Sequence, residues 1–129
     1  METLLIKSTD HTPGVEFNAQ TGQLKLTGRS LPENAIEFYH PIFDWLENYI
    51  SIAPKQTELH VDLDYLNSIS QKMIVEILKN TKKVEDSGKI ISVNWYYDEE
   101  DEKMMEEGKA IASEFELPIV LFPKPNQPD

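Results

Sequence analysis

Two hydrophobic periodicities alternate along this chain, one of two residues and one of three to four. Leu4 to Lys7 and Val15 to Phe17 read as short strands, and Gln23-Leu24-Lys25-Leu26-Thr27 alternates polar and apolar positions as a half-buried strand does. Gln20-Thr21-Gly22 supplies a turn between the second and third, which predicts a β-hairpin near the amino terminus. Ser30-Leu31-Pro32-Glu33 has the spacing of a capping box, with Ser30 as N-cap and a proline in the first turn, and predicts the start of a helix. The helical stripe that follows, Ala35, Phe38, Tyr39, Ile42, Leu46, Tyr49 and Ile50, runs through Pro41, which should kink or split it. Pro54 closes the segment.

Leu59, Val61, Leu63 and Tyr65 then alternate with His60, Asp62 and Asp64, predicting a strand with the first four turned inward. Ile69, Met73, Ile77 and Val84, widened by Ile74 and Leu78, form one stripe of a second helix that Ser87-Gly88 ends. Ile90 to Tyr97 is β-branched and aromatic with little alternation, as in a strand covered on both faces, and is the expected centre of a sheet. A third helix, about Glu100 to Phe115, would turn Met104, Met105, Gly108, Ile111, Ala112 and Phe115 inward, and Leu117 to Phe122 reads as a last strand. Alternating strands and helices predict an α/β domain with a mixed, mostly parallel sheet, an N-terminal hairpin and about three helices, the arrangement expected of a STAS-like domain. Residues 1–123 would form that single domain and Lys124 to Asp129 a flexible C-terminal tail.

Charge narrows the list of partners. The 129 residues hold 12 Lys and Arg against 23 Asp and Glu, a formal net charge of −11 that opposes binding to nucleic acid or to an anionic membrane. Cysteine is absent, which removes disulfides, thiolate metal sites and cysteine nucleophiles together. The apolar run at the amino terminus is too short for a signal peptide, and no apolar stretch approaches the ~20 residues of a membrane span, so a cytoplasmic protein is expected.

Chemistry concentrates where the strand ending near Tyr65 hands over to the second helix, since loops after the carboxyl ends of parallel strands carry the sites of such folds. Ser68 and Gln71 have capping-box spacing, so Ser68 reads in the first place as an N-cap. The same exposed hydroxyl would also serve as a phosphoacceptor, because first-turn amides, the positive helix end and Lys72 one turn on suit a group of about −1.5 to −2 charges. Asn67, Gln71 and Lys72 would then surround the phosphate. The run Asp98, Glu99, Glu100, Asp101 and Glu102 complements the macrodipole of the third helix or offers a docking face to a basic partner. Asp62 and Asp64 fall on one strand face beside His60, a pair that a small phosphatase or hydrolase would use, yet no phosphate-cradling loop or second ligand cluster accompanies them. His11, His40 and His60 lack metal spacing, neither metal nor cofactor is expected, and Trp95, Tyr96 and Tyr97 read as core.

These residues resemble one family. Thr12-Pro13 with Val15 and Phe17, Gly28-Arg29-Ser30-Leu31-Pro32-Glu33-Asn34-Ala35, Phe38-Tyr39 with Pro41-Ile42, and Trp45-Leu46 stand in the order of the SiaC-type regulatory phosphoproteins of bacteria. Tyr65-Leu66-Asn67-Ser68-Ile69-Ser70-Gln71-Lys72 and Trp95-Tyr96-Tyr97-Asp98-Glu99-Glu100-Asp101 continue the likeness, with Met105-Glu106 and Gly108 beyond. The resemblance implies an anti-sigma-factor-antagonist-like fold and a partner switch rather than an enzyme. In that switch a cognate serine/threonine kinase phosphorylates the hydroxyl after the asparagine, and a PPM-type phosphatase removes the phosphate. The unphosphorylated protein binds and activates a diguanylate cyclase, linking it to cyclic di-GMP signalling and biofilm formation. The acceptor carries over to Ser68. Where the family usually has Asn-Thr-Ser-Ser, this chain has Asn67-Ser68-Ile69-Ser70, with Leu66 in place of a common aromatic, which makes Ser70 a second candidate acceptor. The alternative is an acidic protein-interaction module of the same fold without phosphoregulation.

Overall fold

The computed structural model describes residues 1–114 and 118–125. Six strands form one sheet in strictly sequential order: β1 (Leu4–Ile6), β2 (Gly14–Asn18), β3 (Gln23–Ser30), β4 (Gln56–Leu66), β5 (Ile90–Asp98) and β6 (Ile119–Lys124). β1 to β3 pair antiparallel and β3 to β6 parallel, with α1 (Ala35–Tyr49), α2 (Ser68–Asp86) and α3 (Glu102–Glu114) as the three crossovers. This is the mixed STAS-like α/β architecture with an N-terminal hairpin that the alternation predicts. The hairpin turn is set by Asn18, whose side chain accepts from the amides of Gln20 and Thr21, and by Gly22 at φ +74°, where a Cβ would collide with the Gln56 carbonyl.

Every crossover steps to the next strand in the same direction, so a common hand puts all three helices on one face of the sheet. A single core results, in which Leu24, Leu26, Leu59, Val61, Val93 and Trp95 of the sheet meet Tyr39, Ile42, Ile77 and Met104 of the helices. Gly108 lets α3 lie close to the sheet, because a Cβ there would sit 2.6 Å from Trp95 Cδ1 and 2.7 Å from Leu121. One-sided packing corrects two expectations for β5. It lies fifth of six, not at the centre, and its burial alternates, with Ile91, Val93 and Trp95 inside and Ser92, Asn94 and Tyr96 half-exposed on the open face. Tyr96 is therefore not a core residue; it stacks between His60 and Phe122. A strand with polar residues at alternate positions needs cover on one side only.

Local irregularities account for further corrections. α1 continues through Pro41, which is exposed, so the carbonyl that loses its amide partner faces water. Its N-cap is Asn34, which accepts from the Glu37 amide, and not Ser30, which ends β3 fully buried. Tyr65 points outward and Leu66 inward because the β3–β4 register skips Asp64: Gly28 pairs with Leu63 and Arg29 with Tyr65. The extra residue is a β-bulge, which reverses the inside-outside alternation beyond it. On α2 the buried face is Ser70, Ile74, Ile77, Leu78, Thr81 and Val84, so Ile69, placed inward by the apolar count, is 44% exposed. α3 begins at Glu102, with Met104, Gly108 and Ile111 buried and Met105 and Ala112 half-buried. Lys124, assigned to a tail, closes β6 and pairs with Asp62 at 2.6 Å. Phe115, Leu117 and the tail from residue 126 lie outside the described residues.

Candidate functional site

β3 to β6 run parallel, so their carboxyl ends gather at one edge of the sheet and bring together Arg29-Ser30, Tyr65 to Ser68, Asp98 to Glu102 and Lys124. At the β4–α2 junction the cap is Asn67, whose side chain accepts from the Ser70 amide at 3.0 Å while its own amide donates to the Ser30 carbonyl. Ser68 is thus the first helical residue and not the cap that its spacing to Gln71 predicts. Its side chain is exposed. Of the amides an α-helix leaves without intrahelical acceptors, those of Ser68 and Ile69 meet no protein acceptor among the described residues. Lys72, one turn along and also exposed, makes no ion pair among the described residues. An anion on Ser68 would meet free N–H groups and the positive end of the helix.

Two residues further on, the environment reverses. Ser70 is fully buried, and its hydroxyl donates to the Ser30 carbonyl at 3.0 Å and accepts from Ser30 Oγ at 2.7 Å. Tyr39 Oη lies 2.6 Å from Ser30 Oγ and, with that hydroxyl's proton committed to Ser70, is the donor of the pair. Burial raises the phenol of Tyr39 above the ordinary tyrosine range, against the smaller opposing pull of the Ser30 and Ser70 hydroxyls. The three hydroxyls tie α1, the end of β3 and the first turn of α2 into one network. Ser70 is accordingly closed to a kinase in the folded protein.

Gln71 reaches across to α3, where its side-chain amide donates to Glu107 Oε1. Burial, ahead of an opposing Lys103 and a reinforcing Asp101, raises the Glu107 carboxyl above the usual glutamate range. Its Oε2 is buried without a hydrogen-bond partner among the described residues. The pairing joins residues 36 apart in sequence and has no local signature.

The acidic run divides by role. Asp101 accepts from the Met104 amide at 3.0 Å as the cap of α3, and Asp98 accepts from the Glu100 amide at 2.9 Å in the turn before it. Glu99, Glu100 and Glu102 are exposed. Asp62 and Asp64 are separated in role by the bulge: Asp62 holds Lys124, whose ammonium is raised chiefly by that bond, while Asp64 stands exposed at the irregularity. His60 lies on the open face between Tyr96 and Gln23, at 3.0 and 2.9 Å. Among the described residues no group of three or more His, Cys, Asp or Glu side chains is placed to hold a metal ion, and no helix is long and apolar enough to cross a membrane.

Residues 6–124 match the profile of the SiaC family regulatory phosphoproteins. A protein of Pseudomonas aeruginosa strain UCBPP-PA14 is 30% identical over 121 residues, spanning 94% of this chain and 96% of that protein. Apo-SiaC of Pseudomonas aeruginosa superposes with a TM-score of 0.85 at 29% identity, covering 95% of this chain and 99% of that one. SiaC in the crystal structure of its complex with the diguanylate cyclase SiaD, of which it is the activator, superposes with a TM-score of 0.87 at 29% identity, covering 94% and 99%.

Proposed function

This chain belongs to the SiaC family of regulatory phosphoproteins, and from that footing we propose that it is a bacterial partner-switch protein whose unphosphorylated form binds and activates a diguanylate cyclase. A cognate serine/threonine kinase phosphorylates Ser68, a PPM-type phosphatase reverses the modification, and the cycle sets cyclic di-GMP output and biofilm formation from the cytoplasm. The observation that carries this reading is the exposed hydroxyl of Ser68 at the first position of α2, beside two amides without protein acceptors among the described residues. A phosphate there would be held by the helix end without unfolding it, so modification changes what the surface binds and leaves the fold in place. The cyclase partner rests on the likeness to the SiaC of the SiaD complex. Exposed Glu99, Glu100 and Glu102 beside the structural Asp98 and Asp101 give a basic partner surface a second point of contact, whose share is read from the loss of affinity with added salt.

The test is a cycle of modification and binding. Incubation with the cognate kinase and ATP should add one phosphate, placed on Ser68 by fragmentation mass spectrometry, and the product should lose the cyclase until the phosphatase restores it. Ser68→Ala protein should take no phosphate and hold the cyclase constitutively active. If the chain binds the cyclase but takes no phosphate at Ser68, it is instead an acidic interaction module without phosphoregulation, and the switch falls.

A further inference from the structure

The sheet has two edges, and they differ in what they leave open. β1 is three residues long and gives a further strand little to pair with. β6, Ile119-Val120-Leu121-Phe122-Pro123-Lys124, is twice that length, and no strand pairs with its outer side among the described residues. We propose that this edge pairs antiparallel with β6 of a second copy of the chain, about a two-fold axis through Val120, so that two sheets join into one. The surface is separated by β5 from the β4–α2 junction, and the proposal does not depend on the switch reading.

Backbone direction sets the register. The carbonyls of Pro118 and Lys124 accept from the amides of Val93 and Glu99, so the even-numbered residues of this segment turn their peptide groups toward β5. Ile119, Leu121 and Pro123 therefore turn theirs outward, and Pro123 has no N–H to offer. Only the amides of Ile119 and Leu121 are open to a new strand. An antiparallel copy satisfies both at once when Ile119 exchanges its two bonds with Leu121 of the second copy and Leu121 exchanges its own with Ile119. A shift in one direction sets the ring of Pro123 into the ladder against Ile119, and a shift in the other leaves Leu121 opposite a residue outside β6. Pro118 and Pro123 thus select one pairing and keep it from extending.

The side chains agree with that register. Val120 and Phe122 lie on the open face of the sheet at 46% and 40% exposure, with Pro118, also exposed, ahead of them by the same alternation. The selected pairing sets Val120 against Val120 and each Phe122 against Pro118 of the other copy, so the strip is complementary to itself. Phe122 already stacks one ring face on Tyr96, with centroids 5.3 Å apart, and the pairing covers more of what is left. Charge points to the same place. Residues 118–123 carry none in a chain of net charge −11, so two copies that repel overall meet here without bringing like charges into contact. A strand of this length spans about 20 Å, and pairing along it buries less than the ~1,200 Å² at which stable complexes begin. The dimer is therefore a weak one, and salt strengthens it by screening the repulsion between the copies.

The chain holds no cysteine, so a single introduced one reports the axis directly. Val120 would face its own copy in a non-hydrogen-bonded pair, with Cα atoms about 4.5 Å apart, inside the range of about 4.4–6.8 Å that a disulfide spans. Under mild oxidation, full-length Val120→Cys protein should form a disulfide dimer about tenfold faster or more than Thr27→Cys, an exposed position on β3 of the same face. Sedimentation velocity of the parent chain should show a dimer that grows with concentration and with added salt. Val120→Lys and Val120→Asp should each weaken it by about tenfold or more, since like charges then meet on the axis, and an equimolar mixture of the two should recover association that neither shows alone. Equal cross-linking at the two cysteine positions would overturn the pairing, and so would a parent chain that stays monomeric at every concentration and salt. The cysteine comparison carries the test should either charged variant disturb folding.

Discussion

The two junctions at which adjacent parallel strands hand over to helices, β4–α2 and β5–α3, are built alike but differ in charge, the first neutral and the second acidic. Each helix is capped by a side chain that accepts from the amide three residues on, Asn67 to Ser70 and Asp101 to Met104. At α3 the cap is itself a carboxylate and Glu102 follows in the first turn. At α2 the cap is a neutral amide, the first turn holds no acid, and its leading residue is a serine open to solvent. α1 also has an acid, Glu37, in its first turn. In a chain with 23 acidic residues, α2 is thus the one helix among the described residues whose first turn carries no acid of its own. Such a helix end is poised to gain negative charge, whereas α3 already has what its dipole needs.

Removing hydroxyls from the α2 junction should give the largest effects, and they should differ sharply between neighbours. Ser70→Ala strands the Ser30 hydroxyl proton in the core and should cost about 1–3 kcal/mol in urea denaturation, as a buried donor without an acceptor does. Ser68→Ala, two residues away and exposed, should stay within about 0.5 kcal/mol of the parent. Equal losses at the two positions would mean that Ser68 is a structural group like its neighbour, and the contrast between the junctions would disappear.

The order and type of the elements could be read from periodicity, because burial on one face of a strand or helix imposes it residue by residue. What escaped depends on contacts between distant segments. Ser30 has every local mark of a cap, but its hydroxyl is claimed by Tyr39 and Ser70, and the helix waits for Asn34. Tyr65 continues an alternation that the bulge at Asp64 breaks, and the bulge exists only in the pairing of β4 with β3. Ile69 is more apolar than Ser70, yet Ser70 is the buried one, since a partner hydroxyl 40 residues upstream satisfies it. Ser68 has the spacing of a cap to Gln71, yet it follows the cap, because Asn67 is the residue whose side chain reaches the Ser70 amide. Gln71 was assigned to the capping box of α2, and its bond to Glu107 comes from the approach of α3.

The caps themselves give the next test. Asn67→Ala and Asp101→Ala should each cost about 1 kcal/mol, because each frees one first-turn amide. Their response to salt should separate them. The Asp101 bond is charge-assisted and sits at a positive helix end, so its loss should matter less in about 1 M salt than in dilute buffer. The Asn67 bond is neutral and should lose the same amount in both. A salt-dependent loss at Asn67 would show that charge already reaches the α2 terminus from elsewhere.

The smallest effect is the most diagnostic, because its sign is the issue. A carboxylate introduced by Ser68→Asp would face the positive end of α2 and the amides of Ser68 and Ile69, and should raise stability by about 0.3–1 kcal/mol at low ionic strength, fading as salt is added. At α3, Glu102→Ser removes a charge from the equivalent turn and should lower stability by a similar amount. Substitutions that add and remove one negative charge would then move the melting temperature in opposite directions, measured by calorimetry on the folded protein at two salt concentrations. If Ser68→Asp destabilises instead, the first-turn amides of α2 are not available to an anion, and a phosphate at that position would act by disrupting the helix rather than by altering the surface it presents.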